Sequence, residues 1–332
     1  MPIQSGQTAE ASDVIAAFGN AYGDGSDGII AFNGSNTFAF ASKAGSVYTL
    51  TRNVFPTTCT VSNGVTVICA GYGIVSSVSL TNNGTIHNNG GDGTDGNPRS
   101  GSTGGTGGNG GAGAPSGSFG GGASGGNGGT GINNNTSGGT AGSAGTNTSF
   151  TLVGTGTAGQ TGLSGNTAGK AGGAGGTAAL EKISGVILAA ISPFTNGSET
   201  VTRKANCFCA TLSFFGLSGS PGAGGGGGGG GGTLGDGGGG GGGGGGSAGV
   251  VFLSAPTITN TGTISANGGK GGNGGSGGSG NNGGQGGAGN GGFVGLIYGS
   301  IANSGTISAN AGSQGAAGTS GLVYRIKLTS FN

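Results

Sequence analysis

The sequence predicts an all-β protein: a core of short β-strands, sandwich-like or solenoid-like, plus a bundle of packed left-handed polyglycine-II helices. Glycine accounts for 96 of the 332 residues, against 6% charged residues, 6% aromatic residues and no Trp. One strand-like motif occurs three times, and each copy enters a run with Gly at every third residue. A three-residue period is that of the polyproline-II-type helix, which rises about 3.1 Å per residue.

Residues 1–80 have the most ordinary composition and are predicted to form a β-rich N-terminal domain. Residues 10–18 could form one short helix, with Ser12 or Asp13 as N-cap and Gly19 ending it. Short β-rich runs separated by Gly, Asn and Ser then favour strands, because β-branched and aromatic residues pack well on a pleated surface. The predicted strands cover residues 28–32, 37–41, 46–52, 58–61, 65–70 and 74–80.

Residues 81–332 are predicted to form a glycine-rich domain of repeated units. The motif copies are residues 80–89, 258–267 and 301–310. Each glycine run leads into another apolar stretch, at residues 250–253, 293–297 and 322–326, so the unit is strand, glycine excursion, strand. The recurring strand–turn residues are Asn82, Gly84, Ile86, Asn260, Gly262, Ile264, Asn303, Gly305 and Ile307.

The side chains along each glycine run predict its position in the bundle. A helix without side chains can be buried on all sides, and neighbouring backbones can then exchange N–H···O=C bonds. The two pure glycine blocks, 224–232 and 237–246, are therefore predicted to be central. The run 268–292 is predicted to be one peripheral helix of about 75 Å, with Lys270 and Gln285 facing water. The central blocks are marked by Gly224, Gly228, Gly232, Gly237, Gly241 and Gly246.

Composition and charge exclude several classes of protein. Collagen needs about 15–20% Pro or hydroxyproline, and this chain has 7 Pro. A net charge of +1 gives no electrostatic reason to expect nucleic acid as a partner. The longest apolar run, 186–191, is too short to span a membrane. Residues 1–5 show no signal-peptide pattern, so we expect a protein that is made in the cytoplasm or one that has lost a processed leader.

Few residues could carry chemistry, and we predict no enzyme, no cofactor and no metal site. His87 is the single histidine, and the other motif copies have Ser265 and Ser308 at its position. Asp92 and Asp95 lie in a glycine run without a second carboxylate pair. Cys59 and Cys69 could form a disulfide between adjacent strands. Their spacing, with Cys207 and Cys209 downstream, lacks the paired pattern of structural zinc sites.

The motif Asn-x-Gly-Thr-Ile-Ser-Ala-Asn-Gly-Gly, followed by Gly-Gly-x triplets, resembles glycine-rich regions of bacteriophage tail and tail-fibre proteins. The pure glycine blocks resemble those of distal phage adhesins with a polyglycine-II bundle. This resemblance covers about residues 74–328. It implies a tail-fibre tip or receptor-binding protein, in a virion or extracellular and without a visible signal peptide, whose connecting loops contact a bacterial surface receptor. If the protein is such an adhesin, exchange of a non-glycine loop such as 132–137 should change the host range.

A different hypothesis for the same pattern is a subunit of a self-assembling extracellular glycine-rich filament. Its edge strands and glycine helices would pair between copies of the chain. The expected partners are thus other copies of the protein or other virion and fibre proteins.

Overall fold

The computed structural model describes residues 22–131, 140–143, 145, 151–153, 218–219, 237–278, 281–315 and 318–327. These residues contain fifteen β-strands and no α-helix, which confirms the all-β prediction. The strands are β1 (Ile29–Phe32), β2 (Ala41–Ala44), β3 (Val47–Leu50), β4 (Thr58–Val61), β5 (Thr66–Ile68), β6 (Gly73–Val75), β7 (Ser79–Asn82), β8 (Thr85–His87), β9 (Thr151–Val153), β10 (Ser218–Gly219), β11 (Val250–Asn260), β12 (Thr263–Ser265), β13 (Phe293–Asn303), β14 (Thr306–Ser308) and β15 (Leu322–Lys327).

Two large sheets hold most of these strands. The first has the order β1-β4-β7-β11-β13-β15, and β6 pairs with the first half of β11. The second has the order β14-β12-β8-β5-β3-β2. Among the described strand pairs, only β2 with β3 is antiparallel. β9 and β10 form a separate parallel pair.

The three motif copies stack in register across both sheets. Leu80 of β7 lies beside Ile258 of β11, which lies beside Ile301 of β13. In the second sheet Ile86 lies beside Ile264, which lies beside Ile307. Since a slip of one residue would turn each apolar residue to the opposite face, the alternating pattern fixes this register.

The glycine runs connect successive layers of the stack. The chain leaves the second sheet after β8, β12 and β14, and it next enters the first large sheet at β11, β13 and β15. This is the strand, excursion, strand order that the sequence predicted.

Apolar residues pack on both faces of the first sheet. The main core cluster, between the sheets, contains Leu253 and Leu296. A second cluster contains Phe252 and Phe293 together with Phe119. Because neighbouring strand residues point to opposite faces, β11 and β13 contribute to both clusters.

The N-terminal elements differ in part from the prediction. Residues 37–41 do not form a strand; Phe38 and Ala41 form an isolated bridge, and β2 begins at Ala41. The strand predicted at 74–80 is two strands, β6 and β7, that pair with different parts of β11. The domain boundary after residue 80 falls inside β7, which pairs with β4 on one side and β11 on the other.

Several predicted elements lie outside the described residues. These are the helix at 10–18, the apolar run 186–191, the loop 132–137, and Cys207 with Cys209. Within the part of the chain that the structure describes, no helix is long and apolar enough to cross a membrane.

Candidate functional site

Within the described residues, seven extended glycine tracts lie side by side next to the sheets. They are tract 1 (88–99), tract 2 (104–115), tract 3 (121–131), tract 4 (237–249), tract 5 (266–278), tract 6 (281–292) and tract 7 (309–315). Apart from a single 3₁₀-helical residue at the end of tract 5, none of them has helix or strand hydrogen bonding. Their backbone groups bond instead between tracts, at intervals of three residues.

Tract 4 lies at the centre of this bundle, and every one of its residues is buried. Each backbone N–H of residues 239–249 donates to a carbonyl of another tract, and the acceptor rotates among tracts 6, 1 and 3. Gly242, for example, donates to Gly284 at 2.9 Å, and Gly243 donates to Thr94 at 2.9 Å. The next donor, Gly244, bonds Gly126 at 2.8 Å.

Carbonyl groups of tract 4 accept from the two remaining neighbours. Gly241 accepts the N–H of Gly108 from tract 2, and Gly243 accepts the N–H of Gly272 from tract 5. The outer tracts also bond one another in the order 3, 2, 1, 5, 6, as in the bonds that tract 1 donates to tracts 2 and 5. Five tracts thus surround tract 4 within the described residues.

Close backbone approach explains the absence of side chains at two of every three positions of tract 4 over residues 239–246. A Cβ on Gly240, Gly243 or Gly246 would overlap a carbonyl of tract 2, and one on Gly239, Gly242 or Gly245 would overlap a carbonyl of tract 5. These obstacles are backbone atoms, which cannot rotate away as a flexible side chain can. Gly237, Gly241 and Gly246 are buried in the centre, as predicted from the absence of side chains, whereas Gly224, Gly228 and Gly232 lie outside the described residues.

Side chains of tract 1 accept hydrogen bonds from backbone N–H groups of tract 5 that do not donate to a carbonyl of the described residues. Asn89, Asp92 and Asp95 of tract 1 accept the backbone N–H of residues 267, 270 and 273, at 2.7, 2.8 and 2.7 Å. In the other direction, the N–H of residues 90, 93 and 96 donates to the carbonyls of residues 267, 270 and 273. The two aspartates therefore have a structural partner in tract 5, and their spacing follows the three-residue period of the tracts.

The prediction of one long peripheral helix at 268–292 is wrong. The run reverses between tracts 5 and 6, where Asn281 donates its N–H to Gly278 and the Asn282 side chain accepts the N–H of Gly277. Tracts 5 and 6 contain 13 and 12 residues, so neither has the length of about 75 Å expected for one continuous helix over 268–292. Lys270 is exposed, but Gln285 is half-buried, because its side chain bonds Asn273 and the N–H of Gly315.

The bundle has two different ends. Tracts 3 and 4 meet the sheets at one end, where the turn between tracts 2 and 3 places Phe119 against Phe252 with ring centroids 5.2 Å apart. At the other end, which we call the tip, the chain reverses at residues 98–103 and again between tracts 5 and 6. Ser100, Gly101 and Ser102 are exposed there.

The strand–turn repeat forms an asparagine ladder at one corner of the stack. Asn82 donates its side-chain amide to Asn260, and Asn260 donates to Asn303, both at 2.7 Å. Asn82 and Asn260 are 0% exposed, whereas Asn303 is exposed. The paired Gly84, Gly262 and Gly305 allow the turns to stack, since a Cβ on Gly262 or Gly305 would overlap the carbonyl of the preceding layer's glycine. Ile86 and Ile264 fill the core below the ladder.

His87 lies on β8 beside Ser265, in register with Ser308. Its Nδ1 accepts the N–H of Asn89 at 3.2 Å, and burial lowers the pKa of the imidazole. An unfolded histidine takes up a proton near pH 6.5. The neutral ring is therefore part of the folded structure, and protonation would remove the acceptor for Asn89.

We expect His87→Ser to remove a pH dependence of stability. The folded pKa is below the unfolded pKa, so the free energy of unfolding of the native protein should fall as the pH decreases below about 6.5. Denaturant unfolding at pH 7.5 and at pH 5 measures this fall. Ser is the residue of the other two layers, so the variant should fold and show a smaller fall. Equal falls in both proteins would contradict the prediction.

The disulfide suggested by the sequence is not formed. Cys59 and Cys69 are both free and buried, and burial raises the pKa of each thiol to about 12. Cys59 lies on β4 in the first sheet, whereas Cys69 follows β5 in the second sheet. The disulfide hypothesis assumed that these two strands are adjacent in one sheet, and they are not. Both residues pack in the main core cluster.

The described residues contain no group of three His, Cys, Asp or Glu side chains that could hold a metal ion. Their one ion pair joins Arg52 to Asp27, and it lowers the pKa of that carboxyl group. Comparison of the chain with protein-family models, with curated proteins and with solved structures found no match.

Sequence reasoning missed two features of this site. One is the anchoring turn with Phe119, which looks like an isolated aromatic residue in a glycine run. The other is the bonding of tract 1 side chains to tract 5, although the separation of 89 from 267, 92 from 270 and 95 from 273 is a constant 178 residues. The polar residues of tracts 1 and 5 have the same three-residue spacing, and this shared spacing could have predicted the pairing of the two tracts.

Proposed function

We propose that this protein is a structural virion protein, a receptor-binding adhesin at the tip of a phage tail fibre. In this proposal the stacked strands are a parallel β-solenoid, and the glycine tracts are polyglycine-II helices that extend from its layers. The bundle is a rigid scaffold, and the tip contacts a bacterial surface receptor.

The rotation of hydrogen-bond acceptors around tract 4 carries the proposal. Three successive N–H groups donate to three different tracts, and the fourth returns to the first of them. A helix with three residues per turn distributes its N–H groups in this way. An isolated glycine segment would be a flexible coil, but the bonds between tracts satisfy its backbone and fix its position.

One of the two edge strands of each large sheet is charged, which favours a discrete particle over an open filament. β2 and β15 are edge strands in the described structure, and they carry Lys43, Arg325 and Lys327. Charged residues on edge strands oppose pairing with another copy. The filament hypothesis would need such pairing at both ends of the stack.

A matched pair of variants tests the adhesin proposal. Ser102 is exposed at the tip, and Asn63 is exposed in the turn between β4 and β5. We expect Ser102→Trp to reduce binding of the labelled protein to host cells at least about 10-fold, because a bulky side chain separates the tip from its receptor. Asn63→Trp should bind like the native protein.

Electron microscopy of the same preparations separates the two hypotheses. Discrete particles that compete with phage for adsorption support the adhesin. Regular fibres, or equal loss of binding in the two variants, would contradict it.

A further inference from the structure

Three of the five exposed large apolar residues of the described structure are consecutive on β15, a strand that has no role in the proposed scaffold. β15 is the last strand of the first sheet and pairs only with β13 there. Leu322, Val323 and Tyr324 are 55%, 38% and 53% exposed. An edge strand presents unpaired N–H and C=O groups, which form a template for a further strand.

Two cations, Arg325 and Lys327, make this otherwise apolar edge strand positively charged. Arg325 lies beside Leu296 of β13, and Lys327 lies beside Tyr298. Leu296 belongs to the main core cluster, so the chain has replaced a core-facing apolar residue by a cation in its last described layer. Both cations are exposed, and neither forms an ion pair in the described structure.

The side chains of β15 alternate between the two faces of the sheet and so form two rows. Val323, Arg325 and Lys327 point to one face of the sheet, and Leu322, Tyr324 and Ile326 point to the other. A second copy of β15 would add two more cations to the two already present, and like charges on neighbouring strands repel. A neighbouring strand would complement both rows if it carried carboxylates on the face of Arg325 and Lys327 and apolar side chains on the face of Tyr324.

We propose that the edge of β15 is an attachment site for an extended acidic segment of a different protein. The partner adds one strand to the first sheet, and its backbone bonds the unpaired groups of β15. Its Glu or Asp side chains face Arg325 and Lys327. Main-chain bonds supply most of the affinity in such strand addition, and the side chains supply the specificity.

Synthetic peptides test this proposal with the whole protein. The probe is fluorescein-labelled acetyl-Thr-Glu-Val-Glu-Val-Glu-Thr-amide, whose palindromic sequence fits the edge in either direction. One control peptide has Lys for each Glu. Another has Pro for one Val, which removes an N–H donor and leaves the charge unchanged. We expect fluorescence anisotropy to show binding of the acidic probe at least about 10-fold tighter than either control.

Two protein variants complete the experiment. Arg325→Glu combined with Lys327→Glu should weaken binding of the acidic probe at least about 10-fold and favour the Lys peptide. Lys270→Glu, an exposed change on tract 5, should leave binding unchanged. The proposal is overturned if the probe does not bind at millimolar concentration, if the Pro peptide binds equally well, or if sedimentation shows that β15 pairs with a second copy instead. Because this edge is separate from the tip, failure of this test leaves receptor binding unaffected, and the converse also holds.

Discussion

Gly243→Ala in the central tract is expected to lower the free energy of unfolding by at least about 2 kcal/mol. The added Cβ would overlap the carbonyl of Asn109 in tract 2. To relieve this overlap, tracts 2 and 4 must separate, and the bonds that link tract 4 to its neighbours must lengthen. Gly→Ala normally stabilises a chain by about 0.4–1 kcal/mol through the unfolded state, so the overlap must outweigh that gain.

Ser276→Ala is the matched control for this change. Ser276 is exposed on tract 5, already has a Cβ, and bonds the bundle through its carbonyl, which accepts the N–H of Arg99. Its replacement should change stability by no more than about 0.5 kcal/mol. Scanning calorimetry of both variants measures the difference, and equal melting temperatures would show that tract 4 is not closely packed. Gly240→Ala added to Gly243→Ala should produce a larger loss, since both positions face tract 2.

The sequence predicted the repeating parts of this fold well. The strand at 58–61 has the predicted bounds, and the stacked positions of Ile86 and Ile264 follow from the repeated motif. A repeat specifies its own register, because identical residues occupy equivalent positions in each layer. The burial of residues 237–246 follows similarly from the absence of side chains.

Features that depend on one residue or on a distant partner were not predicted. The reversal between tracts 5 and 6 interrupts a glycine period that continues without a break in the sequence, so periodicity alone gives no boundary there. The position of Cys69 in a different sheet from Cys59 depends on the turn at residues 62–64, which redirects the chain between β4 and β5. The sequence predicted that Asn82, Asn260 and Asn303 are equivalent residues of a repeat. The hydrogen bonds between their side chains follow only from the parallel register of the strands, which the structure shows.

Asn260→Ala is expected to destabilise the protein by about 2–4 kcal/mol, because it removes the middle residue of the asparagine ladder. Asn260 both accepts a hydrogen bond from Asn82 and donates one to Asn303. Its removal leaves a cavity at a 0% exposed position, and it deprives Asn82 of one buried partner. The Asn82 amide retains its bond to the Thr263 carbonyl at 3.1 Å, which limits the loss.

The position of each asparagine in the ladder predicts the order in which its replacement by Ala lowers the free energy of unfolding. Asn303→Ala should cost less than about 1 kcal/mol, because Asn303 is exposed and water can replace it as the acceptor for Asn260. Asn82→Ala should lie between the two, since within the described residues the Asn82 Oδ1 atom is buried without a hydrogen-bond partner, and its removal offsets part of the loss. Denaturant unfolding of the three variants gives the order directly. An equal effect at Asn260 and Asn303 would mean that the layers are held by their backbone bonds and apolar contacts alone, with no contribution from the ladder.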